Sequence, residues 1–315
     1  MTQQKNGPRT YGGYTLQWAM EEAQRCLLCE DAPCSRGCPG STDPARFIRQ
    51  IRFQNYKGAA RTVMGNNPLG GVCTYVCPTD ETCTGSCLRE ELDRPINIDA
   101  LQRFAVEYGR AHGVEPPAVA EPREQKVAVV GAGPAGLTAA ARLARRGYQV
   151  TVLEKRGEAG GMLRYGVPES RLPKHALRGD LDELIALGVK VELDHEVAGD
   201  DPAAELMAQG YDAVFVAPGL WRPIVLDLPG GDLAGNSTAV KFLDDNRAAP
   251  EKCAALVKGK NVAIIGGGSV AMDVARVARE HGAARLYAVA LEAVNELPAQ
   301  RDELAEANAD GLQIL

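Results

Sequence analysis

The chain has 315 residues, of which 45% are hydrophobic and 24% charged, a composition typical of a soluble globular protein with room for about two or three domains. Its formal net charge of −6 argues against nucleic acid as a main partner, because nucleic-acid-binding domains usually carry a basic face. No run of about 18 apolar residues occurs, so no membrane span is predicted. The first residues lack the apolar core of a signal peptide, and we therefore expect a cytoplasmic protein.

The N-terminal part is predicted to be α-helical. Residues 15–110 contain short helical patterns separated by Gly- and Pro-rich loops that carry cysteines, with apolar residues at helical spacing in 44–64 and 99–110. The segment 113–125 is rich in proline and mixed in charge, which predicts a linker. We expect residues 1–112 to form one domain.

Eight of the nine cysteines lie in this predicted helical domain. They follow the pattern C-x2-C-x4-C-x3-C-P and then C-x3-C-P-x4-C-x3-C. Short intervals of this kind suit [4Fe–4S] clusters with four ligands each, and a cysteine followed by proline commonly binds the other cluster of a pair. The pattern therefore predicts two clusters. The cysteines are Cys26, Cys29, Cys34, Cys38, Cys73, Cys77, Cys83 and Cys87.

Disulfide bonds, zinc binding and simple packing are the alternatives to iron–sulfur ligation for these cysteines. A disulfide framework is typical of secreted proteins. Zinc prefers two C-x2-C pairs, of which Cys26 and Cys29 form one. Packing alone would not place eight thiols in so short a stretch. The ninth cysteine, Cys253, is predicted to be an inert packing or surface thiol.

From Lys126 the pattern changes to strand, glycine turn, helix and strand, the start of a doubly wound α/β fold. The turn has the form G-x-G-x-x-G, in which the glycines permit a tight bend, close approach of a pyrophosphate and close helix–strand packing. Glu154, at the end of the second strand, is placed to bind ribose hydroxyls. A glycine turn without a nucleotide is the alternative. The turn comprises Gly131, Ala132, Gly133, Pro134, Ala135 and Gly136.

A second unit of the same kind begins at Asn261, and further strands are predicted at 190–193 and 212–218. Its second strand leads to Glu292, an acid that favours the free 2′-hydroxyl of NAD over the 2′-phosphate of NADP. No arginine or lysine occurs between Tyr287 and Gln300 to bind that phosphate. We therefore expect at least about a tenfold preference for NADH. Its glycine turn comprises Gly266, Gly267, Gly268, Ser269, Val270 and Ala271.

Six motifs of this chain occur in the same order in one known group of proteins. They are RCLLCEDAPCSRGCP, NNPLGGVCTYVCPTDETCTGSC, PINIDALQRF, VVGAGPAGL, GGMLRYGVPESRLP and GGGSVAMDVA. Over residues 15–315 the chain resembles the glutamate synthase small-subunit-like flavoproteins, and within them the dihydropyrimidine dehydrogenase group. The resemblance implies an α-helical double [4Fe–4S] domain followed by Rossmann-like FAD- and NAD(P)-binding domains of the glutathione-reductase-like type.

The same resemblance implies the cluster ligands. One cluster would be bound by Cys26, Cys29, Cys34 and Cys87, and the second by Cys38, Cys77, Cys83 and Gln102. Cys73 would then not be a ligand, which corrects the count of four plus four cysteines that spacing alone favours. Glutamine is a harder, neutral donor, so it should alter the potential of the second cluster.

The resemblance also implies dinucleotide contacts, and no catalytic side chain, because hydride passes between cofactors. The FAD contacts would be the turn at 131–135, then Glu154, Lys155, Gly160, Gly161, Met162 and Arg171. The nicotinamide dinucleotide would meet residues 268–271 of the second turn. NADP-using relatives have arginines where Leu291, Glu292 and Val294 stand here.

The implied function is electron input. NADH would give a hydride to FAD, and two [4Fe–4S] clusters would pass single electrons to a partner subunit that carries FMN and further clusters and reduces uracil or thymine. Alternatives are a glutamate synthase small subunit or another NAD(P)H-dependent electron-transfer or bifurcating flavoprotein. A zinc-binding interaction module with a degenerate nucleotide fold is an alternative of another class.

We expect an iron–sulfur domain at 1–112, a linker at 113–125, the first part of an FAD domain at 126–222 and an NAD(H) domain at 223–315. Members of the group continue past the second unit and return to complete the FAD domain with a Gly-Asp segment. No such segment is found here, so we expect a chain that is truncated at its C-terminus.

Overall fold

The computed structural model describes residues 9–117 and 119–315. Residues 1–8, on which part of the signal-peptide prediction depends, and Ala118 of the predicted linker lie outside the described residues. The chain divides into two units. The first unit comprises the described residues up to Gly157 together with Leu172–Ala217, and the second comprises Glu158–Arg171 and Pro218–Leu315. The domain boundaries given above stay predictions.

The first unit begins with a small antiparallel hairpin, β1 (Thr10–Tyr11) and β2 (Tyr14–Thr15), followed by helices. The helices are α1 (Leu16–Gln24), α2 (Pro33–Arg36), α3 (Pro44–Arg52), α4 (Tyr56–Asn66), α5 (Gly70–Val76) and α6 (Ile98–Ala111), with 3₁₀ turns at Thr79–Glu81 and Leu88–Glu91. The prediction of short helices separated by cysteine loops is confirmed.

The helical pattern at 44–64 is divided between α3 and α4. The break falls at Gln54, whose φ of 60° is incompatible with a continuing right-handed helix. Asn55 then caps α4, because its side chain accepts a hydrogen bond from the backbone N–H of Gly58 at 2.9 Å. The apolar face of α3, with Phe47 and Ile51, packs with Phe104 of α6 in a fully buried core.

The rest of the first unit is a parallel sheet with helices between its strands. Its four strands have the order β5-β4-β3-β6. The elements from here are β3 (Lys126–Val130), α7 (Pro134–Ala144), β4 (Gln149–Leu153), α8 (Met162–Tyr165), α9 (Lys174–Ala186), β5 (Lys190–Glu192), α10 (Pro202–Ala208) and β6 (Ala213–Val216), of which α8 belongs to the second unit. The strands predicted at 190–193 and 212–218 are thus confirmed.

The second unit contains a parallel sheet of order β7-β8-β9. Its elements are α11 (Ala239–Ala248), α12 (Pro250–Val257), β7 (Asn261–Ile265), α13 (Ser269–Glu280), β8 (Arg285–Val289), a 3₁₀ turn at Val294–Glu296, α14 (Arg301–Ala309) and β9 (Leu312–Ile314). Met272 and Leu286 lie at the centre of its core. Both sheets have the α/β arrangement that was predicted. Within the described residues, no helix combines the length and the apolar character that crossing a membrane requires.

Candidate functional site

Four of the predicted cluster ligands line one cavity in the first unit. Burial raises the pKa of the Cys34 thiol to about 11, with smaller contributions from the nearby Cys26 and Cys87. Burial also raises the pKa of Cys26. The ligands around the cavity are Cys26, Cys29, Cys34 and Cys87, and apolar side chains of Ile48, Ile96 and Ile98 complete its wall. The four thiols that the resemblance assigns to one cluster are therefore brought together.

Hydrogen-bond donors and cations surround this first thiol group. The backbone N–H of Ile96 points to the Sγ atom of Cys87 at 3.5 Å. Arg52 donates to the carbonyl oxygen of Cys26 at 2.8 Å, and Arg49 and Arg89 line the cavity. N–H donors and positive charge stabilise thiolates and the negative charge of a bound cluster. The surroundings thus fit a cluster as well as the thiols do.

A second thiol group forms where the loop after α2 meets α5. Burial raises the pKa of Cys83 to about 11, and the neighbouring Cys38 and Cys77 add to this shift. The backbone N–H of Thr42 points to the Sγ atom of Cys38 at 3.4 Å. Cys38, Cys77 and Cys83, which the resemblance assigns to the second cluster, are therefore close together.

Cys73 lies within this second group, although it is predicted not to be a ligand. A hydrogen bond with Cys77, together with burial, raises the pKa of Cys73. The same hydrogen bond lowers the pKa of Cys77 to about 6, against the effect of burial. Cys38 and Gln102 are also near Cys73. Among the described residues, no three Cys, His, Asp or Glu side chains converge as ligands of one metal ion.

Gln102 reaches the second group from α6. The residue is buried, and its Nε2 atom donates a hydrogen bond to the carbonyl oxygen of Gly70 at 2.7 Å. This bond occupies the amide nitrogen, so the Oε1 atom is the part of the amide that is available to a metal. The placement fits the predicted role, and that role stays a prediction.

The first glycine turn connects β3 to α7. Gly131 has a φ of 100°, which favours glycine, and a Cβ atom on Gly136 would lie 2.0 Å from the carbonyl oxygen of Gly131. Gly133 precedes α7, and no side chain caps the helix there. The free N–H groups at this end of α7 can therefore bind a phosphate.

Glu154 follows β4 and is buried beside this turn. Its carboxylate accepts hydrogen bonds from the backbone N–H of Ala132 at 2.7 Å and of Arg156 at 2.9 Å. The acid is therefore held against the glycine turn, as the fingerprint requires. Lys155 follows it, outside the strand.

The other predicted FAD contacts lie in the second unit. Gly160 and Gly161 both have positive φ, 132° and 54°, and they lead into the short helix α8 at Met162. The guanidinium of Arg171 is bound within its own unit by the carboxylates of Asp273 and Glu303. Contact of Arg171 with FAD stays a prediction.

The second glycine turn connects β7 to α13. Gly266 has a φ of 128°, and Gly268 precedes α13 without a side-chain cap, so N–H groups of Ser269, Val270 and Ala271 begin the helix. Glu292 lies exposed just after β8. The turn is thus equivalent in form to the first one and suits a second dinucleotide.

Buried acids are the main feature that the sequence did not predict. Asp180, Asp273 and Glu303 are all buried. The acidic stretch at 302–310 has the composition of a solvated helix face, but Glu303 within it is buried. Asp180 could have been found, because it lies at helical spacing between Leu177 and Leu184 on the buried face of α9. The predicted packing role of Cys253 is confirmed, since the thiol is buried and donates to the carbonyl oxygen of Phe242.

Two protein families match the chain one after the other. Residues 3–114 match dihydropyrimidine dehydrogenase domain II, 4Fe-4S cluster. Residues 125–312 match pyridine nucleotide-disulphide oxidoreductase. The chain is therefore an oxidoreductase that combines an iron–sulfur domain with a flavin- and nicotinamide-dinucleotide-binding part, as predicted.

Known proteins agree with this arrangement. A solved structure of FprA from Mycobacterium tuberculosis in complex with NADPH is 26% identical, covers 59% of this chain and 48% of that chain, and has a TM-score of 0.51. The NADP(+)-dependent formate dehydrogenase subunit beta of Moorella thermoacetica is 36% identical, over 89% of this chain and 42% of that protein. The NAD-dependent dihydropyrimidine dehydrogenase subunit PreT homolog of Salmonella typhi is 40% identical over 304 residues, which are 96% of this chain and 72% of that protein. With this identity over almost its whole length, the chain belongs to the PreT family of NAD-dependent dihydropyrimidine dehydrogenase subunits.

Proposed function

We propose that this chain is the electron-input subunit of an NADH-dependent dihydropyrimidine dehydrogenase, with two [4Fe–4S] clusters and FAD. The observation that carries the proposal is the joining of two thiol groups and a dinucleotide-type glycine turn in one unit of the fold. When bound, the flavin accepts a hydride from NADH and the clusters pass single electrons to a partner subunit. The residues of this chain bind, orient and shield these groups.

The thiols hold the clusters and protect them from water. We assign Cys26, Cys29, Cys34 and Cys87 to one cluster and Cys38, Cys77, Cys83 and Gln102 to the other. Each assigned group includes side chains that are buried or half-buried. N–H donors to sulfur favour the reduced, more negative state of a cluster, because they stabilise charge on its ligands.

The second thiol group is on the side of the iron–sulfur domain that packs on the flavin-binding half. Helix α5, which carries Cys73 and is followed directly by Cys77, packs against α9. Arg145 of α7 binds the carbonyl oxygens at the end of α4 as well. These contacts support entry of electrons at the second group.

We infer that the glycine turns bind the two pyrophosphates, FAD at 131–136 and NADH at 266–271. Glu154 then binds a ribose of FAD, and Lys155, Gly160, Gly161, Met162 and Arg171 contribute further contacts to it. Glu292 selects NADH, because its charge repels a 2′-phosphate.

The partner subunit is proposed from the relatives. The PreT proteins are named as subunits, as is the formate dehydrogenase relative from Moorella thermoacetica. We propose a hetero-oligomer in which a second subunit, carrying FMN and further clusters, reduces uracil or thymine.

The proposal is tested on the complex that the full-length chain forms in its own cell. The tagged chain is isolated with its partner, and oxidation of NADH is followed with uracil, with thymine, with formate and with glutamine plus 2-oxoglutarate. We expect activity with uracil or thymine. A partner that supports only formate or glutamate chemistry would overturn the pyrimidine assignment. About eight irons per chain are expected, whereas a colourless zinc protein would overturn the whole proposal.

A further inference from the structure

One peptide group beside the second thiol group is held at both of its ends by buried side chains. The Nε2 atom of Gln102 donates to the carbonyl oxygen of Gly70 at 2.7 Å. The Oδ1 atom of Asp180 accepts from the N–H of Gly71 at 3.0 Å. Carbonyl and N–H belong to the same planar Gly70–Gly71 peptide, so the position of Asp180 fixes the plane that Gln102 meets.

Asp180 is almost completely buried and comes from α9 in the flavin-binding half of the first unit. Its Oδ2 atom accepts from the N–H of Val72 at 2.8 Å. Its Oδ1 atom also accepts from Arg110 at 2.5 Å. The carboxylate thereby satisfies two of the N–H groups that open α5, and its charge is balanced by a guanidinium.

The contact depends on the two glycines. A Cβ atom on Gly71 would lie 2.7 Å from Oδ1 of Asp180, and one on Gly70 would lie 2.7 Å from a methyl group of Val63. Side chains at these positions would push the carboxylate or the core away from the peptide. The glycines therefore permit the close approach on which both hydrogen bonds depend.

The network determines which atom of Gln102 is available. If the amide were reversed, its oxygen would face the carbonyl oxygen of Gly70, and two acceptors would repel each other. The hydrogen bond from Gly71 to Asp180 also polarises the peptide and makes the Gly70 oxygen a stronger acceptor. Both effects leave the Oε1 atom of Gln102 free.

We propose that Asp180 is a positioning residue of the second cluster. It holds the Gly70–Gly71 peptide so that Gln102 directs its oxygen, and not its nitrogen, toward the iron. The orientation of this ligand is thereby tied to helix α9 of the flavin-binding half. The inference rests on the proposed assignment of Gln102 as a cluster ligand.

The first test is Asp180→Asn in the full-length protein with its clusters. The substitution turns one acceptor into a donor that faces the N–H of Gly71 or Val72. We expect one of the two reduced-cluster signals in electron paramagnetic resonance to change its g values, and the midpoint potential of that cluster to shift. The other signal should stay as in the wild type. Unchanged g values and potentials for both clusters would overturn the proposal.

Glu183→Gln is the matched control. Glu183 lies on the same helix and accepts from Nε of Arg110 at 2.8 Å, so it shares the guanidinium but binds that side chain rather than the α5 backbone. We expect both signals to stay unchanged. A control that shifts the same signal as Asp180→Asn would mean that charge near Arg110, and not the peptide, is responsible, and would overturn the proposal.

A second background separates positioning from packing. In Gln102→Cys the ligand would be a thiolate, which has no amide to orient. Adding Asp180→Asn to this variant should therefore cause no further change in the signal of the second cluster. An equal shift in both backgrounds would overturn the proposal. If Gln102→Cys alone leaves both signals as in the wild type, then the ligand assignment itself is refuted, which is a distinct outcome.

If circular dichroism shows that Asp180→Asn does not fold, Gly71→Ala is tested in its place. It changes no charge, and its Cβ displaces the carboxylate from the peptide. A change confined to the same single signal would support the proposal, and two unchanged signals would overturn it.

Discussion

Arg171 and Asp273 form a buried ion pair in the second unit, with 3.0 Å between Nη1 and Oδ2. The same guanidinium binds the carboxylate of Glu303, whose Oε2 atom is buried and, among the described residues, has no hydrogen-bond partner. One cation therefore balances two carboxylates, one on α13 and one on α14. Such a site is sensitive to loss of the cation, because an unpaired buried charge is costly.

We expect Arg171→Met to lower the free energy of local unfolding of α13 and α14 by about 3–5 kcal/mol, since two carboxylates lose their partner. Native-state hydrogen exchange of peptides from these helices measures the change. Arg178→Met is the control, because Arg178 and its partner Asp182 are exposed and 3.9 Å apart, and its cost should be below about 1 kcal/mol. Equal protection in both variants would contradict the prediction.

Asp273 also predicts a pH dependence. Burial raises the pKa of its carboxyl from 3.8 to about 6, against the effect of Arg171. Between these values the native state holds a proton that the unfolded chain has released, so the free energy of unfolding falls as the pH rises and levels off above about 6.

The wild type is compared with Asp273→Asn at pH 5 and pH 7 by chemical denaturation. The unfolding free energy of the wild type minus that of Asp273→Asn should fall by about 1 kcal/mol from pH 5 to pH 7, because asparagine does not titrate. Asp182→Asn, on an exposed site, controls for the lost charge. A difference that rises with pH would show that the native pKa is lowered instead.

The features that could be predicted from the sequence are those encoded by residues close together in the chain. Cysteine intervals and glycine turns are local patterns, and the structure brings each set together. Gln102 came from the resemblance, because one glutamine in a helix carries no spacing signal. Helical spacing places Asp180, and not Asp182, on the buried face of α9, but the N–H groups that bind Asp180 lie 108 and 109 residues away in the chain. Such long-range contacts have no local signature.

Cys73 and Cys77, four residues apart in the chain, provide a test of which cysteines bind the second cluster. If Cys73 is not a ligand, Cys73→Ala should keep about eight irons per chain, whereas Cys77→Ala should lose up to about four, one cluster's worth. Both residues are half-buried members of the second thiol group, so general loss of packing is shared by the two variants. Iron and acid-labile sulfide analysis measures the outcome. Equal iron loss in both would make Cys73 a ligand.

The choice of nicotinamide nucleotide is tested at Glu292. We expect Glu292→Gln to raise kcat/KM for NADPH relative to NADH by about tenfold, since repulsion of the 2′-phosphate is removed. Glu296→Gln makes the same change of charge at another exposed position close by in the chain, and the ratio should then stay near that of the wild type. Steady-state kinetics of the complete protein decide this. A similar gain in both variants would point to net charge rather than to direct contact.

Alanine substitutions in the two glycine turns should have different effects, one on stability and the other on nucleotide binding. A Cβ atom on Gly136 would lie 2.0 Å from the carbonyl oxygen of Gly131, so Gly136→Ala should destabilise the protein by about 1–3 kcal/mol, even without nucleotide. An added Cβ atom on Gly268 would have Cγ of Pro298 as its nearest neighbour, at 4.0 Å. The φ of Gly268 is −89°, a value that alanine adopts without strain.

Gly268→Ala should therefore leave the free energy of unfolding within about 0.5 kcal/mol of the wild type. It should raise KM for NADH by about tenfold, because the methyl group occupies the approach of the pyrophosphate. Denaturation of the nucleotide-free protein and NADH kinetics, with FAD content as the control, separate the two effects. If Gly268→Ala binds NADH normally, the turn at 266–271 does not contact the pyrophosphate, and the assignment of this turn to NADH is wrong.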